Sequence, residues 1–213
     1  MNANFDALKL VQRVDIDEVV ANSFKDYHVK GFDYLCMRRS PTETYKLYFF
    51  NGDVTRLPEV VNPHDHRYDF RTWTICGASE NVWFDRDPKG ERFERFEYRT
   101  KLNGGNGFSW AGTDYLKETL RGRFRPGDRY DMRAEDFHTI RIAENETVLM
   151  LLQKEDVVPV DKPTLTFTRE KEPPSLDGLY SRFTADEVVK ILSNFEERVG
   201  QGFRFHASME LVA

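Results

Sequence analysis

Three of the five histidines are spaced so that their side chains could bind one metal ion. His64 and His66 are separated by one residue, and residues two apart in an extended strand point to the same face. His138 comes after the turn Pro126-Gly127 and begins a strand-like segment, which an antiparallel barrel can bring beside the first. Imidazole binds Fe, Zn, Cu and Ni, and three neutral donors on one side leave the other side open. The spacing predicts a catalytic metal site, with ordinary surface-turn histidines as the alternative for the His64–His66 pair taken alone.

The residues around these histidines resemble the cupin superfamily. The first cupin motif has a His-x-His pair, then a Glu and a Gly. Here Phe70 stands at the Glu position, and Gly77 follows. The second motif runs from a Gly to a His, and Gly127 and His138 fit its spacing. This resemblance covers about residues 30–155 and implies a double-stranded β-helix, or jelly-roll barrel, that holds a metal ion. Other motif positions differ, at Pro58, Arg133, Glu135 and Ile142.

The aromatic residue at position 70 narrows the resemblance to three-histidine cupins, whose best-known group is the cysteine dioxygenase-like enzymes. That resemblance implies a non-haem Fe(II) ion, with Mn, Ni, Cu and Zn as alternatives, and a small carboxylate-bearing substrate that reacts with dioxygen. The group holds the substrate carboxylate with an arginine on an earlier strand, and Arg38 occupies a comparable place. The alternative for Arg38 is a solvated charge at a strand end. The group's Ser-His-Tyr set beyond the third ligand is absent from TVLMLLQKED, so thiol oxidation as such is not predicted.

Strand periodicity adds one more residue to the candidate site. Tyr68 shares the inward parity of His66, so it is predicted to contact the substrate or support a ligand, with a plain core tyrosine as the equal alternative. Asp65 should point outward and orient a neighbouring group. The remaining histidines, His28 and His206, have no partner at ligand spacing, and surface roles are expected for both.

Short strands must position these residues. From residue 30 to about 170, apolar and charged residues form short runs separated by turn-forming residues, a pattern typical of a sandwich or barrel. Residues 4–26 predict an N-terminal helical segment. The capping-box pattern Thr184-Ala185-Asp186-Glu187 predicts a C-terminal helix at about residues 184–199. We therefore expect a single domain over residues 1–213, with an all-β cupin-like barrel flanked by N- and C-terminal helices.

Composition excludes several classes of partner. A formal net charge of -5 leaves no basic excess for nucleic acid or an anionic membrane surface. No apolar run approaches the roughly 20 residues of a spanning helix, and the charged N-terminus is unlike a signal peptide, so a cytoplasmic protein is expected. Cys36 and Cys76 form no CxxC pair and are predicted to be buried free thiols.

Three functions compete at this stage. The first is an iron-dependent oxygenase or dioxygenase that acts on a small carboxylate-bearing molecule. The second is an isomerase, lyase or decarboxylase that uses the ion as a Lewis acid. The third is a non-catalytic ligand-binding module. The Phe at position 70 favours the first, and the intact histidine set disfavours the third. A homodimer formed through edge strands is expected by analogy with other barrels of this class.

Overall fold

The computed structural model describes residues 3–99 and 107–210, with side chains described for residues 7–99 and 107–200. In chain order, the helices and strands are α1 (Ala3–Val11), α2 (Ile16–Asn22), β1 (Phe32–Arg39), β2 (Glu43–Phe50), β3 (Tyr68–Cys76), β4 (Ser79–Arg99), β5 (Gly107–Phe124), β6 (Arg129–Met132), β7 (Phe137–Ile142), β8 (Thr147–Asp156), β9 (Thr164–Thr168) and α3 (Ala185–Glu210). A short 3-10 helix follows β2 at Gly52–Arg56.

The strands form two antiparallel sheets. One has the order β1-β2-β8-β3-β6, and the other has the order β5-β4-β7. Strand β9 pairs with the distal half of β4, so β4 contacts β7 with its first residues and β9 with its last. This is the all-β core with flanking helices that the sequence predicts.

The five-stranded sheet has two different faces, because side chains alternate along each strand. The helix-covered face packs against α1, α2 and α3. From β1 and β2 it carries Leu35, Met37, Leu47 and Phe49. The opposite face, called here the cavity face, looks toward the four-stranded sheet. From the same two strands it carries Phe32, Tyr34, Cys36, Lys46, Tyr48 and Phe50.

Side-chain caps fix where two of the helices begin. Asp15 accepts hydrogen bonds from the amides of Asp17 and Glu18 at the start of α2. At the start of α3, Thr184 Oγ1 accepts from the Glu187 amide at 3.3 Å, and a Glu187 carboxylate oxygen accepts from the Thr184 amide at 2.8 Å. This reciprocal pair is the predicted capping box. The C-terminal helix is confirmed, and it extends past residue 199 to Glu210.

An extended segment before β3 joins the two halves of the second sheet. The His64 amide donates to the His138 carbonyl at 3.0 Å, and the His138 amide donates back to His64 at the same distance. The Asp65 amide donates to Leu165 on the other side. The segment therefore runs between β7 and β9, and this placement brings the early histidines against the later one.

Candidate metal centre

The structure brings together the three histidines that the sequence singled out. One ring nitrogen of each of His64, His66 and His138 lies within 4.8 Å of the others. The Nε2 atoms of His66 and His138 are 2.8 Å apart. His64 and His66 lie just before β3 rather than inside a regular strand. The His64 amide donates to His138 of β7, whereas the His66 amide donates to Ala134 in the turn before β7. The extended backbone still turns both rings to one side.

Hydrogen bonds on the far side of two rings fix their orientation. His64 Nδ1 lies 2.8 Å from the Asn62 carbonyl oxygen, to which it can only donate. His138 Nδ1 lies 2.7 Å from Oδ1 of Asn81, a fully buried residue of β4. With the proton held on Nδ1, the Nε2 lone pair of each ring is free to bind a cation.

Burial keeps these imidazoles uncharged. It lowers the pKa of His64 to about 4 and holds the pKa values of His66 and His138 well below their usual range. The neighbouring histidines lower the pKa of His66 further, since two protonated rings would repel each other. Near neutral pH all three are in the neutral form that binds metal ions.

No carboxylate joins the histidine cluster within the described side chains. Phe70, at the position of the motif's Glu, is buried, and its ring centroid lies 4.7 Å from that of His66. Asp65 turns away, because one carboxylate oxygen accepts a hydrogen bond from the Leu165 amide at 2.6 Å. Burial raises the pKa of Asp65 to about 6. The candidate site thus has three nitrogen donors and an apolar neighbour.

The histidines lie on the wall of a cavity of about 880 Å³. A cavity of this size can enclose a small molecule. Tyr68, predicted as a substrate contact, lines it next to the centre, with its ring centroid 5.6 Å from that of His66. The wall is largely aromatic and aliphatic, and it includes Phe32, Tyr48, Phe50, Phe70, Tyr98, Phe108, Tyr130, Ile140, Leu149 and Leu151.

The structure does not bring Arg38 to the cavity. A β-bulge lies between Cys36 and Arg38, so that Cys36 pairs with Lys46 but Arg38 pairs with Tyr45. Directly paired residues of an antiparallel sheet share a face. Tyr45 packs against the core under the helices, and Arg38 is therefore on the helix-covered side, where it is exposed to solvent.

The surface role expected for His28 is wrong. His28 lines the cavity, and its Nδ1 lies 2.8 Å from the Tyr180 hydroxyl oxygen. Burial lowers the pKa of His28 to about 3. The residue has a φ of +72° in the connection between α2 and β1, so strand or helix periodicity could not reveal its direction. His206 lies outside the residues whose side chains are described.

Sequence reasoning also missed a lysine on the cavity face. Lys46 is only 6% exposed and belongs to the same inward-facing set as Tyr48. A charged residue at an inward strand position was the available signal. The two cysteines are free, as predicted, with Cys36 buried and Cys76 partly buried.

No described helix combines the length and the apolar character needed to cross a membrane.

Comparisons with known proteins give similarity to solved structures only. No family model and no curated protein matches the chain. KdgF from Halomonas sp. is 16% identical over 58% of this chain and 80% of its own, with a TM-score of 0.36. A cupin superfamily protein from Desulfitobacterium hafniense DCB-2 is 10% identical over 58% of this chain and 76% of its own, with a TM-score of 0.35. Hydroxypropylphosphonic acid epoxidase from S. wedmorenis is 11% identical over 67% of this chain and 61% of its own, with a TM-score of 0.40.

Proposed function

We propose that this chain is a metal-dependent oxygenase or dioxygenase that uses Fe(II) and acts on a small carboxylate-bearing molecule. The observation that carries this proposal is the convergence of His64, His66 and His138 on the wall of a cavity of about 880 Å³. Three neutral imidazoles on one wall leave the cavity side of a bound ion open to other ligands.

The donor set fits a divalent transition metal. Two Nε2 atoms that approach to 2.8 Å repel each other if both carry lone pairs, unless a proton or a cation lies between them. His138 already places its proton on the side of Asn81. The His138 Nε2 lone pair can therefore accept a proton from His66 Nε2 in the metal-free protein, and a bound cation would replace that proton and bind both lone pairs. A bound Fe(II) ion would bind an anionic substrate and dioxygen at the same time, and it would supply the electron transfer that side chains cannot perform.

The surrounding residues have separate tasks in this proposal. Asn62 and Asn81 hold the histidine rings in one tautomer and one orientation. Phe70 and the aromatic wall exclude water, which strengthens electrostatic interactions inside the cavity. Tyr68 contacts the substrate beside the centre. Since the ligands are neutral, an ion with its full 2+ charge favours an anionic substrate.

Metal analysis together with oxygen uptake tests the proposal. Protein purified without added metal should contain iron, and the iron-loaded protein should consume oxygen with at least one member of a panel of small carboxylates, amino acids and thiols. His138→Ala should abolish both iron binding and uptake. Arg141→Ala is the matched control, because Arg141 lies on the same strand but faces solvent.

Two results would contradict the proposed activity. Oxygen uptake that persists in His138→Ala would exclude this centre as its source. Zinc as the native metal, with no oxygen uptake on any compound, would instead favour Lewis-acid chemistry of an isomerase or lyase type.

A further inference from the structure

Lys46 is a buried cation that has no function in the chemistry described so far. It is 6% exposed, and its neighbours across the sheet are Cys36 on β1 and Leu151 on β8. Among the described side chains, no carboxylate lies within ion-pair distance of its ammonium group. The Asp156 carboxylate acts to raise the pKa of Lys46, after Tyr27 and Cys36, but it is already paired with Arg67 at 3.1 Å. A buried charge without a partner is unfavourable, so this lysine needs an explanation.

The ammonium group contacts the cavity through one residue. Lys46 Nζ lies 3.2 Å from the Tyr68 hydroxyl oxygen. It also lies 5.4 Å and 5.0 Å from the ring centroids of Tyr34 and Tyr68, distances at which ring faces attract a cation. An ammonium group can only donate, so the Tyr68 oxygen accepts this hydrogen bond.

The hydroxyl hydrogen of Tyr68 is therefore free to be donated elsewhere. No acceptor for it is found among the described residues, while Tyr68 lines the cavity next to His66. A hydroxyl that accepts from a cation becomes a stronger donor, because hydrogen bonds in a chain polarise one another. This arrangement presents a polarised O–H group to whatever occupies the cavity.

The charges around the cavity favour an anion at this point. Three neutral histidines would leave a bound divalent ion uncompensated, and Lys46 adds a further positive charge nearby. Burial lowers the pKa of Lys46, so an anion in the cavity would help to keep the ammonium group protonated. Asp65, the acidic residue nearest the ligands in sequence, is directed to Leu165 instead.

We propose that Tyr68 binds the carboxylate group of the substrate and that Lys46 is the residue that positions and polarises Tyr68 for this contact. The inference rests on the proposed function, since it concerns the substrate of the same centre. Lys46 and Tyr68 together would then supply the carboxylate recognition that the sequence suggested for Arg38.

Equilibrium binding of benzoate and its uncharged analogue benzamide to the metal-loaded protein tests this assignment. The wild-type protein should bind benzoate more tightly than benzamide. Tyr68→Phe, which removes only the hydroxyl, should weaken benzoate binding by about tenfold or more. Lys46→Met should cause a similar loss, and benzamide binding should change by no more than about twofold in either variant. The double variant should lose less than the product of the single losses, because the two residues act as a unit.

Lys162→Met is the matched control, because Lys162 lines the same cavity but is exposed. It should keep most of the preference for benzoate. The assignment is overturned if Tyr68→Phe and Lys46→Met keep that preference, if Lys162→Met loses as much, or if the wild-type protein shows no preference or no binding at millimolar concentration. Metal content is measured on every sample. A protein that lacks iron but keeps the Lys46-dependent preference would contradict the proposed function and leave this inference standing.

Discussion

The two faces of β1 and β2 have opposite compositions although they alternate along the same strands. The helix-covered face contributes aliphatic and aromatic side chains such as Leu35 and Leu47, both fully buried against helices. The cavity face contributes a thiol, an amine and phenols from Cys36, Lys46 and Tyr48, also largely buried. The central residues of both faces are shielded from water, and the thiol and the buried amine lie on the cavity face.

This difference indicates a division of work within one sheet. Burial of apolar surface on the helix-covered face stabilises the fold. Buried polar groups on the cavity face cost free energy unless they are paired, so their retention is better explained by binding and chemistry. Substitutions on the two faces should therefore separate stability from metal and ligand binding.

The largest expected effect is on the metal centre. His66→Ala removes one of three ligands and should reduce the content of about one divalent ion per chain to near zero. The unfolding free energy of the metal-free protein should change little. Elemental analysis and urea denaturation measure the two properties. Tyr48→Phe, also on the cavity face, should keep the ion, and full metal retention in His66→Ala would show that the three-histidine assignment is wrong.

The next effect belongs to the helix-covered face. Leu47 is fully buried, and Leu47→Ala should lower the unfolding free energy by about 2–5 kcal/mol through lost burial and the cavity left behind. Metal content per folded chain should not change. Urea denaturation followed by circular dichroism gives the stability. If Leu47→Ala strips the ion while stability is kept, the proposed separation between the faces fails.

The unfolding free energy should depend on pH through His28, which lies on the cavity side. Its folded pKa of about 3 lies below the unfolded value near 6.5, so between these values the unfolded chain binds more protons and stability falls as the pH is lowered. His28→Asn removes a contribution to the unfolding free energy that changes by up to about 1.4 kcal/mol per pH unit. Asn tolerates the positive φ at this position. Urea midpoints at several pH values between 7 and 4 should show a shallower decline than in wild type. Parallel curves would contradict the neutral, buried state of His28.

The smallest effect is at the exposed start of α3. Thr184→Ala removes the oxygen that accepts from the Glu187 amide and should lower stability by about 0.5–2 kcal/mol. Thr184→Ser keeps the hydroxyl and should stay close to wild type. Thermal denaturation compares the two variants. Equal stabilities for Thr184→Ala and Thr184→Ser would show that the hydroxyl cap does not stabilise the start of α3.

Much of the fold could be predicted because local patterns agree with tertiary structure. Alternation of apolar and charged residues marks the strands, and the capping box marks the start of α3. The rings of His64 and His66 converge because both residues stay extended, even though they lie outside a regular strand. In each case the backbone follows the repeat that the sequence pattern assumes.

The parts that could not be predicted depend on departures from that repeat. His28 lies in a connection with positive φ, where no periodicity defines a direction. Arg38 follows a bulge that the sequence does not signal. Lys46 differs from these two residues, because its position two residues before Tyr48 predicts that both side chains share a face. What the sequence lacked was the distance to Tyr68, which depends on how β2 and β3 pack around β8.

The bulge in β1 also affects how this chain should be aligned with related chains. One additional residue between Cys36 and Arg38 exchanges the two faces for the rest of the strand. A homologue with the same number of residues but with regular pairing in place of the bulge would direct the side chain at the position of Arg38 toward the cavity face, although a gapless alignment would show no difference there. Gain or loss of an inward arginine at this edge can therefore arise from gain or loss of the bulge alone. Alignments of related chains should therefore assign residues to the two faces separately before and after the bulge.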